Sequence, residues 1–374
     1  SDFALFIRQA QPVIKRALSP TYDIYPKAPM PRDPRFDILF EPVRIGPVTA
    51  PNRFYQVPHC TGMGNLAPAT LNAMREVKAE GGWGVVNTEY CSIDPSSDDM
   101  AAPFASLWDD GDQRNLAGMV EAVKRHGALA GVELWHGGIR SANTHSRRTP
   151  LGPVSLPTAP HPWQAARMDL ADLRDLRRWH RAAAIRAVNA GFDIVYVYAA
   201  HTYLLAQFLD PDLNDRTDDY GGSLDNRMRL MLEIIADSRE AIGHKAALAI
   251  RIEVDDEQRT GPAMEADRAE TFNRLAPLVD LFDVTIADYS QEMGVSRFIK
   301  EGSLEQRIAH VRKLTGKPVV SIGRFTSPEA MLSYVKRGIV DLVGAARPSI
   351  ADPFLPAKIR DGRQDDIREC IGCN

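Results

Sequence analysis

The residues with the clearest potential for chemistry follow a short apolar run near the start of this sequence. The run NRFYQVP ends in His59 and Cys60, and Gly62 and Gly64 come shortly afterwards. A cysteine in such a place can fill the core, act as a nucleophile, bind a metal ion or anchor a cofactor. The residue type leaves these four roles open, so the elements that position it must be considered next.

Short apolar runs alternate with longer segments of helical periodicity along the chain, a pattern typical of βα units. The runs predicted as strands cover residues 52–58, 84–90, 128–134, 192–198, 246–252, 281–287, 317–323 and 340–346. Asp169, Ser223 and Ser327 are predicted to cap helices at their start, and Gly191 and Gly243 to end two of them. Eight strands, each followed by a helix, predict a (β/α)8 TIM barrel of the α/β class. A doubly wound open sheet fits less well, because no GxGxxG motif follows an early strand.

The chain divides into three predicted segments: an N-terminal arm over 1–34, the barrel over 35–362, and a short C-terminal piece over 363–374. The formal net charge of −4 gives no indication of a nucleic acid or an anionic membrane as partner. No apolar run approaches the ~20 residues of a membrane-spanning helix. The four cysteines are too few for a disulfide scaffold, so a reducing cytoplasm is the expected location.

The predicted strand ends carry an unusual set of polar and aromatic side chains, and in such a barrel they meet at one face. In chain order they are His59, Cys60, Glu89, Tyr90, Cys91, Glu133, His136, Tyr198, His201, Tyr203, Arg251, Asp288 and Tyr289. The last two strands end in Gly323–Arg324 and Gly344–Ala345–Ala346–Arg347. Small residues let backbone N–H groups approach an anion, and arginine adds a bidentate donor. We therefore predict a phosphate site after strands seven and eight, rather than structural salt bridges.

A barrel with a phosphate site and an aromatic mouth could hold a sugar phosphate, pyridoxal phosphate or flavin mononucleotide (FMN). Pyridoxal phosphate requires a Schiff-base lysine, and none of these strand ends carries one. A flavin requires positive charge near N1 and partners along its pyrimidine edge. Arg251 could supply that charge, and Glu133 could accept from the ring N3–H. Cys91 lacks the motif context of Cys60 and is expected to pack in the core.

Several long stretches together resemble one enzyme family. They are DPRFDILFEPVRIGPVTAPNRFYQVPHC, VVNTEYCSIDPSSDD, GVELWHGG, DIVYVYAAHTY, RTDDYGGSLDNR, GAARPSIADPFLP and CIGCN. The sequence resembles the trimethylamine, dimethylamine and histamine dehydrogenases, which belong to the old yellow enzyme superfamily of FMN barrels. The resemblance spans roughly residues 33–374 and leaves out the N-terminal arm.

The resemblance implies a covalently attached FMN. In that family the cysteine of the YQVPHC motif is bonded through its sulfur to C6 of the flavin ring, and Cys60 occupies that position here. Of the four roles left open for Cys60, the resemblance therefore implies that of a cofactor anchor. Arg251 and Arg347 correspond to flavin and phosphate contacts of the family. With the strand-end residues above, the further predicted cofactor-binding residues are Pro58, His59, Glu133, Gly323, Arg324 and Ala345.

The resemblance also implies a substrate site. Tyr90 corresponds to an aromatic wall of a cage that holds alkylammonium ions by cation–π attraction. Tyr198 and His201 correspond to a catalytic pair that lies against the substrate. Tyr203 corresponds to the proton-donating tyrosine of ene-reducing old yellow enzymes.

The segment ADYSQEMGVSRF, after strand six, departs from the family pattern and is a few residues shorter. We align Tyr289 with a cage tryptophan of the amine dehydrogenases and Glu292 with their catalytic aspartate. The changed wall favours a larger or differently charged N-methyl amine over trimethylamine itself. A substrate carboxylate could then be met by Arg140 or Arg297, although both are more typical of surface or structural arginines.

The C-terminal CIGCN places Cys370 and Cys373 in the first half of a family [4Fe–4S] motif. Such a cluster requires four thiolates, and the other two would lie beyond Asn374. The cluster therefore requires a longer chain, and we interpret the sequence as the barrel portion of a longer enzyme.

The predicted function is that of an FMN-dependent amine dehydrogenase. A small N-methylated amine would be oxidised to an iminium and released as an aldehyde plus the dealkylated amine. Electrons would pass to an iron–sulfur cluster or an electron-transfer flavoprotein. Two alternatives remain: an NAD(P)H-dependent ene-reductase that protonates through Tyr203, and a flavin-bearing electron-transfer fragment without a substrate. A homo-oligomer is expected in each case.

Overall fold

The computed structural model describes residues 32–98, 104–157, 164–254, 262–287 and 298–372. Its centre is a barrel of parallel strands: β1 (Phe54–Gln56), β2 (Val85–Ser92), β3 (Leu129–Trp135), β4 (Ile194–Ala199), β5 (Ala247–Glu253), β6 (Leu281–Thr285), β7 (Val319–Ser321) and β8 (Leu342–Ala345). Each strand pairs with the next, and β1 pairs with both β8 and β2, so the sheet is closed. All eight predicted strands are present, which confirms the TIM barrel.

Helices between the strands form the outer layer of the barrel. They are α1 (Pro68–Glu80), α2 (Asp110–Lys124), α3 (Leu170–Ala190), α4 (Leu224–Ile242), α5 (Pro262–Leu275), α6 (Val311–Thr315), α7 (Pro328–Lys336) and α8 (Leu355–Arg360). Shorter helices cover Pro34–Phe40, Gly138–Arg140, Leu204–Leu209, Glu305–Ile308, Arg347–Ala351 and Gln364–Asp366. Further short strands cover Ala105–Ser106, Leu151–Gly152, Leu156–Pro157 and Gln164–Arg167. No helix in the described parts of the chain is long and apolar enough to cross a membrane.

The helix ends follow the predicted capping residues. Asp169 accepts hydrogen bonds from the N–H groups of Ala171 and Asp172 at the start of α3, and Gly191 ends that helix with φ +94°. Ser223 accepts from the third N–H group of α4, and Ser327 does the same for α7. The caps satisfy N–H groups that have no partner within the helix, so they fix where each helix begins.

A two-stranded hairpin closes one end of the barrel. Its strands, Val43–Ile45 and Val48–Ala50, pair antiparallel. Val43, Ile45 and Ala50 form one buried cluster with inward-facing barrel residues, which include Tyr55 and Tyr196. This cluster fills the amino-terminal end of the barrel, so the face available for a site is the opposite one, at the carboxyl ends of the strands.

The end of α1 depends on a glycine that leaves room for a neighbouring backbone. A Cβ at Gly81 would lie 1.9 Å from the carbonyl oxygen of Pro353. That carbonyl also accepts a hydrogen bond from Trp83 Nε1 at 2.9 Å. We expect Gly81→Ala to lower the free energy of unfolding by about 1–3 kcal/mol. The backbone at residue 81 or the backbone at Pro353 must shift to relieve the overlap.

Urea unfolding midpoints test this expectation, with Gly111→Ala as the matched control. Gly111 lies in the first turn of α2, where a Cβ would lie 3.1 Å from Asp109 Oδ1 and 3.8 Å from Arg114 Nη2, both at the ends of side chains rather than in a backbone. Alanine there should be neutral or stabilise the helix by up to about 1 kcal/mol. Equal midpoints for the two variants would show that the contact with Pro353 contributes nothing.

Candidate active site

A pocket opens at the carboxyl ends of the barrel strands and brings together most of the predicted site residues. Its lining includes Pro58, His59, Cys60, Tyr90, Glu133, Tyr198, His201, Tyr203, Arg251 and Arg347, all named from the sequence. Val57, Phe104, Ile322, Ala346 and Ile350 complete it. The pocket therefore combines an exposed thiol, charged groups, aromatic rings and an apolar margin.

The loop after Cys60 is folded around a buried carboxylate. Glu89, which is 0% exposed at the end of β2, accepts hydrogen bonds from the N–H groups of Thr61, Gly62 and Gly64. It also accepts from the Thr61 hydroxyl at 2.8 Å. Several N–H donors stabilise a buried carboxylate and fix the loop that supplies them. Glu89 was given no role in the sequence analysis; Gly62 and Gly64 were a usable signal, because glycine permits a close backbone approach.

Two buried basic side chains lie beneath His59. Arg75 and Lys78, both 0% exposed on α1, approach His59 Nε2 at 2.8 and 2.9 Å. Arg75 also donates to the carbonyl of His59 at 2.6 Å. Burial, followed by the charges of Arg75 and Lys78, holds the pKa of His59 well below its usual value. The ring is therefore neutral, with Nε2 as acceptor and Nδ1–H donating to the Val57 carbonyl at 3.0 Å.

A buried ion pair lies across the pocket floor. Arg251, on β5, approaches Glu133, on β3, with 3.4 Å between Nη1 and Oε1. The same nitrogen donates to the carbonyl of Pro58 at 3.2 Å. Both side chains are almost fully buried, with 7% and 2% of their surfaces exposed. The pair thus presents a fixed positive charge and a carboxylate beside the Cys60 loop.

Tyr198 and His201, the pair implied by the family resemblance, are hydrogen-bonded to each other. The Tyr198 hydroxyl lies 2.5 Å from His201 Nδ1, and His201 Nε2 lies 3.3 Å from the Thr285 hydroxyl. Burial, reinforced by the nearby Glu133 charge, raises the pKa of Tyr198 well above its usual value. Tyr198 therefore holds its proton at neutral pH.

The aromatic rings form a cluster over the same pocket. Tyr90 stacks on Trp135 with ring centroids 4.3 Å apart, and Tyr203 meets Trp135 edge-on at 5.2 Å. Phe104 packs against the edge of Tyr90 at 5.3 Å. Sequence reasoning missed Trp135 and Phe104. Trp135 ends β3 within the motif GVELWHGG, so its position at a strand end was a usable signal.

The residues predicted to bind a phosphate do not all lie at the pocket. Arg347 lines the pocket, together with Ala346 and Ile322, which are neighbours of the predicted Ala345 and Gly323. Arg324 instead donates to the carbonyls of Cys370 and Ile299, at 3.2 and 2.8 Å. Its side chain holds the C-terminal segment against the turn after β7.

The remaining predicted residues lie away from the pocket or outside the described chain. Cys91 is fully buried, as expected of a packing residue. Arg140 donates to the carbonyl of His201 at 3.0 Å. Cys370 is buried and accepts from the Gly372 N–H at 3.4 Å. Tyr289, Glu292, Arg297 and Cys373 lie outside the described residues. Within the described ranges, no group of three or more His, Cys, Asp and Glu side chains is placed to hold a metal ion.

The barrel presents a thiol, charged groups and aromatic rings at one mouth, the features that the sequence analysis associated with a flavin. The model of the NADH:flavin oxidoreductase / NADH oxidase family matches residues 38–366, and the chain belongs to that family. This membership supports the flavin predicted from the strand ends.

The relatives include amine-oxidising enzymes, which confirms the resemblance noted in the sequence. Dimethylamine dehydrogenase from Hyphomicrobium sp. (strain x) is 46% identical over 92% of this chain and 48% of its own length. The structure of 6-hydroxypseudooxynicotine amine oxidase from Pseudomonas geniculata N1 is similar, with a TM-score of 0.88 and 51% identity over 91% of this chain and 52% of that one. Histamine dehydrogenase from Rhizobium sp. 4-9 has a TM-score of 0.86 and 45% identity, over 91% and 50%. The chain spans about half the length of these proteins.

Proposed function

We propose that this chain is the flavin-binding barrel of an amine dehydrogenase that oxidises a small N-methylated amine. The observation that carries the proposal is the shared pocket, in which an aromatic cluster faces the Cys60 loop and the Tyr198–His201 pair. Relatives named dimethylamine dehydrogenase and histamine dehydrogenase support the substrate class. The products would be an aldehyde and the dealkylated amine.

The donor set of the pocket fits FMN. Arg251 would face the flavin N1 region, Glu133 the ring N3–H, and the Cys60 sulfur would be bonded to C6. Val57, Ile322 and Ile350 supply apolar margin for the ring system. Pro58 and His59 would line the ring edge. The phosphate would lie near Arg347, with backbone groups of Gly323, Arg324 and Ala345 around it. When bound, the flavin supplies a two-electron acceptor for the C–H bond next to nitrogen.

The protein's own residues would bind the amine and move its proton. Aromatic faces attract an alkylammonium ion, but the reactive amine needs its lone pair, so a proton must leave. The Tyr198–His201 pair is the hydrogen-bonded acid–base group nearest the aromatic cluster, and we assign it this proton. Tyr203, whose ring centroid lies 5.4 Å from that of Tyr198 and 6.4 Å from that of His201, would contribute to catalysis as a second hydroxyl. Tyr289 and Glu292 remain a predicted cage wall and a predicted catalytic carboxylate.

The electron path out of the barrel is proposed to run through Cys370 and Cys373. Cys370 carries one N–H···S hydrogen bond, from Gly372, and such bonds are common at iron–sulfur cysteines. These two thiolates can supply at most half of the ligands for a [4Fe–4S] cluster. The acceptor would be that cluster and then an electron-transfer protein.

Removing the aromatic face of Tyr90 should weaken amine binding. Tyr90→Leu loses a cation–π contact worth about 0.5–2 kcal/mol, so KM for the amine should rise roughly 2- to 30-fold. Steady-state kinetics with an artificial electron acceptor measure this change. Tyr90→Phe keeps the ring and is the matched control, with KM within about threefold of wild type. An unchanged KM in Tyr90→Leu would remove Tyr90 from the cage.

Anaerobic mixing separates the proposed function from its alternatives. The purified protein is mixed with a panel of methylated amines and, separately, with NADH and NADPH, while the flavin absorbance is followed. The proposal expects bleaching by at least one amine. Bleaching by a nicotinamide alone would indicate the ene-reductase alternative, with Tyr203 as the proton donor. Failure of all reductants would indicate a flavin-bearing electron-transfer fragment.

A further inference from the structure

His201 lies in a strained turn. His201 and Thr202 follow β4 with φ angles of +57° and +54°, in the left-handed region that side chains with a Cβ rarely adopt. Thr202 is β-branched, which makes this conformation especially unfavourable. Two consecutive residues of this kind persist only when their surroundings hold them in place. The turn also determines where the His201 ring lies relative to Tyr198.

Gln207 holds the Thr202 carbonyl of that turn. Its side chain, 1% exposed, donates from Nε2 to the carbonyl of Thr202 at 2.7 Å and to that of Gly137 at 3.0 Å. Its Oε1 accepts from the Ile139 N–H at 3.0 Å. The amide thus ties the turn after β4 to the loop after β3. The absence of a side chain at Gly138 makes room for it, because a Cβ there would lie 2.1 Å from Gln207 Oε1.

We propose that Gln207 is a positioning residue for the Tyr198–His201 pair, an inference that rests on the proposed function for the role of that pair in amine oxidation. By fixing the Thr202 carbonyl, Gln207 keeps the left-handed turn and thereby keeps His201 Nδ1 at 2.5 Å from the Tyr198 hydroxyl. Arg140 assists from the other side, through its hydrogen bond to the His201 carbonyl. Gln207 itself does not line the pocket.

The test is a rescue experiment on the holoenzyme. In Gln207→Leu the turn loses its anchor, so the rate of amine-driven flavin reduction should fall at least tenfold while KM changes less than threefold. Glycine adopts positive φ without support. The double variant Gln207→Leu/Thr202→Gly should therefore recover most of the lost rate, measured against Thr202→Gly alone. Gln207→Glu, which keeps the acceptor for Ile139 but loses both donors, is the second variant if the leucine protein does not fold.

A second readout keeps this inference separate from the proposed function. The ¹⁵N chemical shift of His201 Nδ1 in the oxidised protein reports its hydrogen bond with Tyr198, with no amine present. We expect that signal to change in Gln207→Leu or Gln207→Glu and to return in the rescued protein. Loss of thermal stability with a wild-type His201 signal and reduction rate would overturn the inference. If no amine reduces the wild-type flavin, the proposed function fails, and the His201 signal still decides the role of Gln207.

Discussion

Cys60→Ala is expected to abolish covalent flavin attachment completely. The wild-type protein, denatured and weighed intact, should exceed its polypeptide mass by one FMN less two hydrogen atoms, because the S–H and C6–H hydrogens are lost once the flavin is reoxidised; the variant should show no such increment. The physical reason is the position of the thiol: Cys60 lines the mouth, in a loop fixed by three N–H bonds to Glu89 and by Arg75 beneath His59. A sulfur held in this way can reach one edge of a ring in the pocket and form a single bond.

Cys91→Ala provides the matched control for the mass measurement. Cys91 is fully buried, and burial raises the pKa of its thiol far above the usual range, so it is inert. The Cys91 variant should retain the added mass. A flavin increment that survives in Cys60→Ala, or that is missing from wild-type protein, would contradict the proposed linkage.

Tyr198→Phe is expected to slow amine-driven flavin reduction by roughly 10²–10⁴-fold, the usual contribution of a positioned acid–base group. The variant keeps the ring and removes only the hydroxyl that meets His201. Tyr198 retains its proton at neutral pH, and its hydroxyl lies 2.5 Å from His201 Nδ1. Stopped-flow measurement of the flavin reduction rate in the variant and the wild type checks this expectation.

Tyr196→Phe is the control for that experiment. Tyr196 lies two residues earlier on β4, is equally buried, and hydrogen-bonds to Tyr55 in the barrel interior. This substitution also removes a tyrosine hydroxyl from β4, but in the barrel interior rather than at the pocket. Its reduction rate should stay within about threefold of wild type. Equal losses in both variants would mean that Tyr198 acts through packing rather than through its hydroxyl.

The fold could be predicted from the sequence because its signals are local. Strands appear as short apolar runs, and Asp169, Ser223 and Gly191 mark helix ends through contacts a few residues away. The convergence of strand ends then follows from closure of the sheet. For this reason Cys60 and Arg251, 191 positions apart, could be placed at one mouth before the structure was known.

The supporting residues could not be predicted because their roles depend on distant contacts. Arg75 and Lys78 follow Leu71 at helical spacing on the buried face of α1, yet basic residues at such spacing usually lie in solvent. Gln207 is uncharged and lies on a short helix, with nothing local to indicate its bonds to the loop after β3. Arg324 is of the residue type expected of a phosphate ligand, but its guanidinium donates hydrogen bonds to the carbonyls of Ile299 and Cys370.

The most direct test of the central claim is the stoichiometry of one anaerobic turnover. Protein with oxidised flavin is mixed with an excess of a methylated amine, and the aldehyde released is compared with the flavin reduced. Oxidation of one N–CH₃ group and addition of one water should give one aldehyde, one dealkylated amine and one reduced flavin. We predict a ratio of aldehyde to reduced flavin near one in the wild type. Flavin reduction by NADPH, with no aldehyde from any amine, would contradict the account.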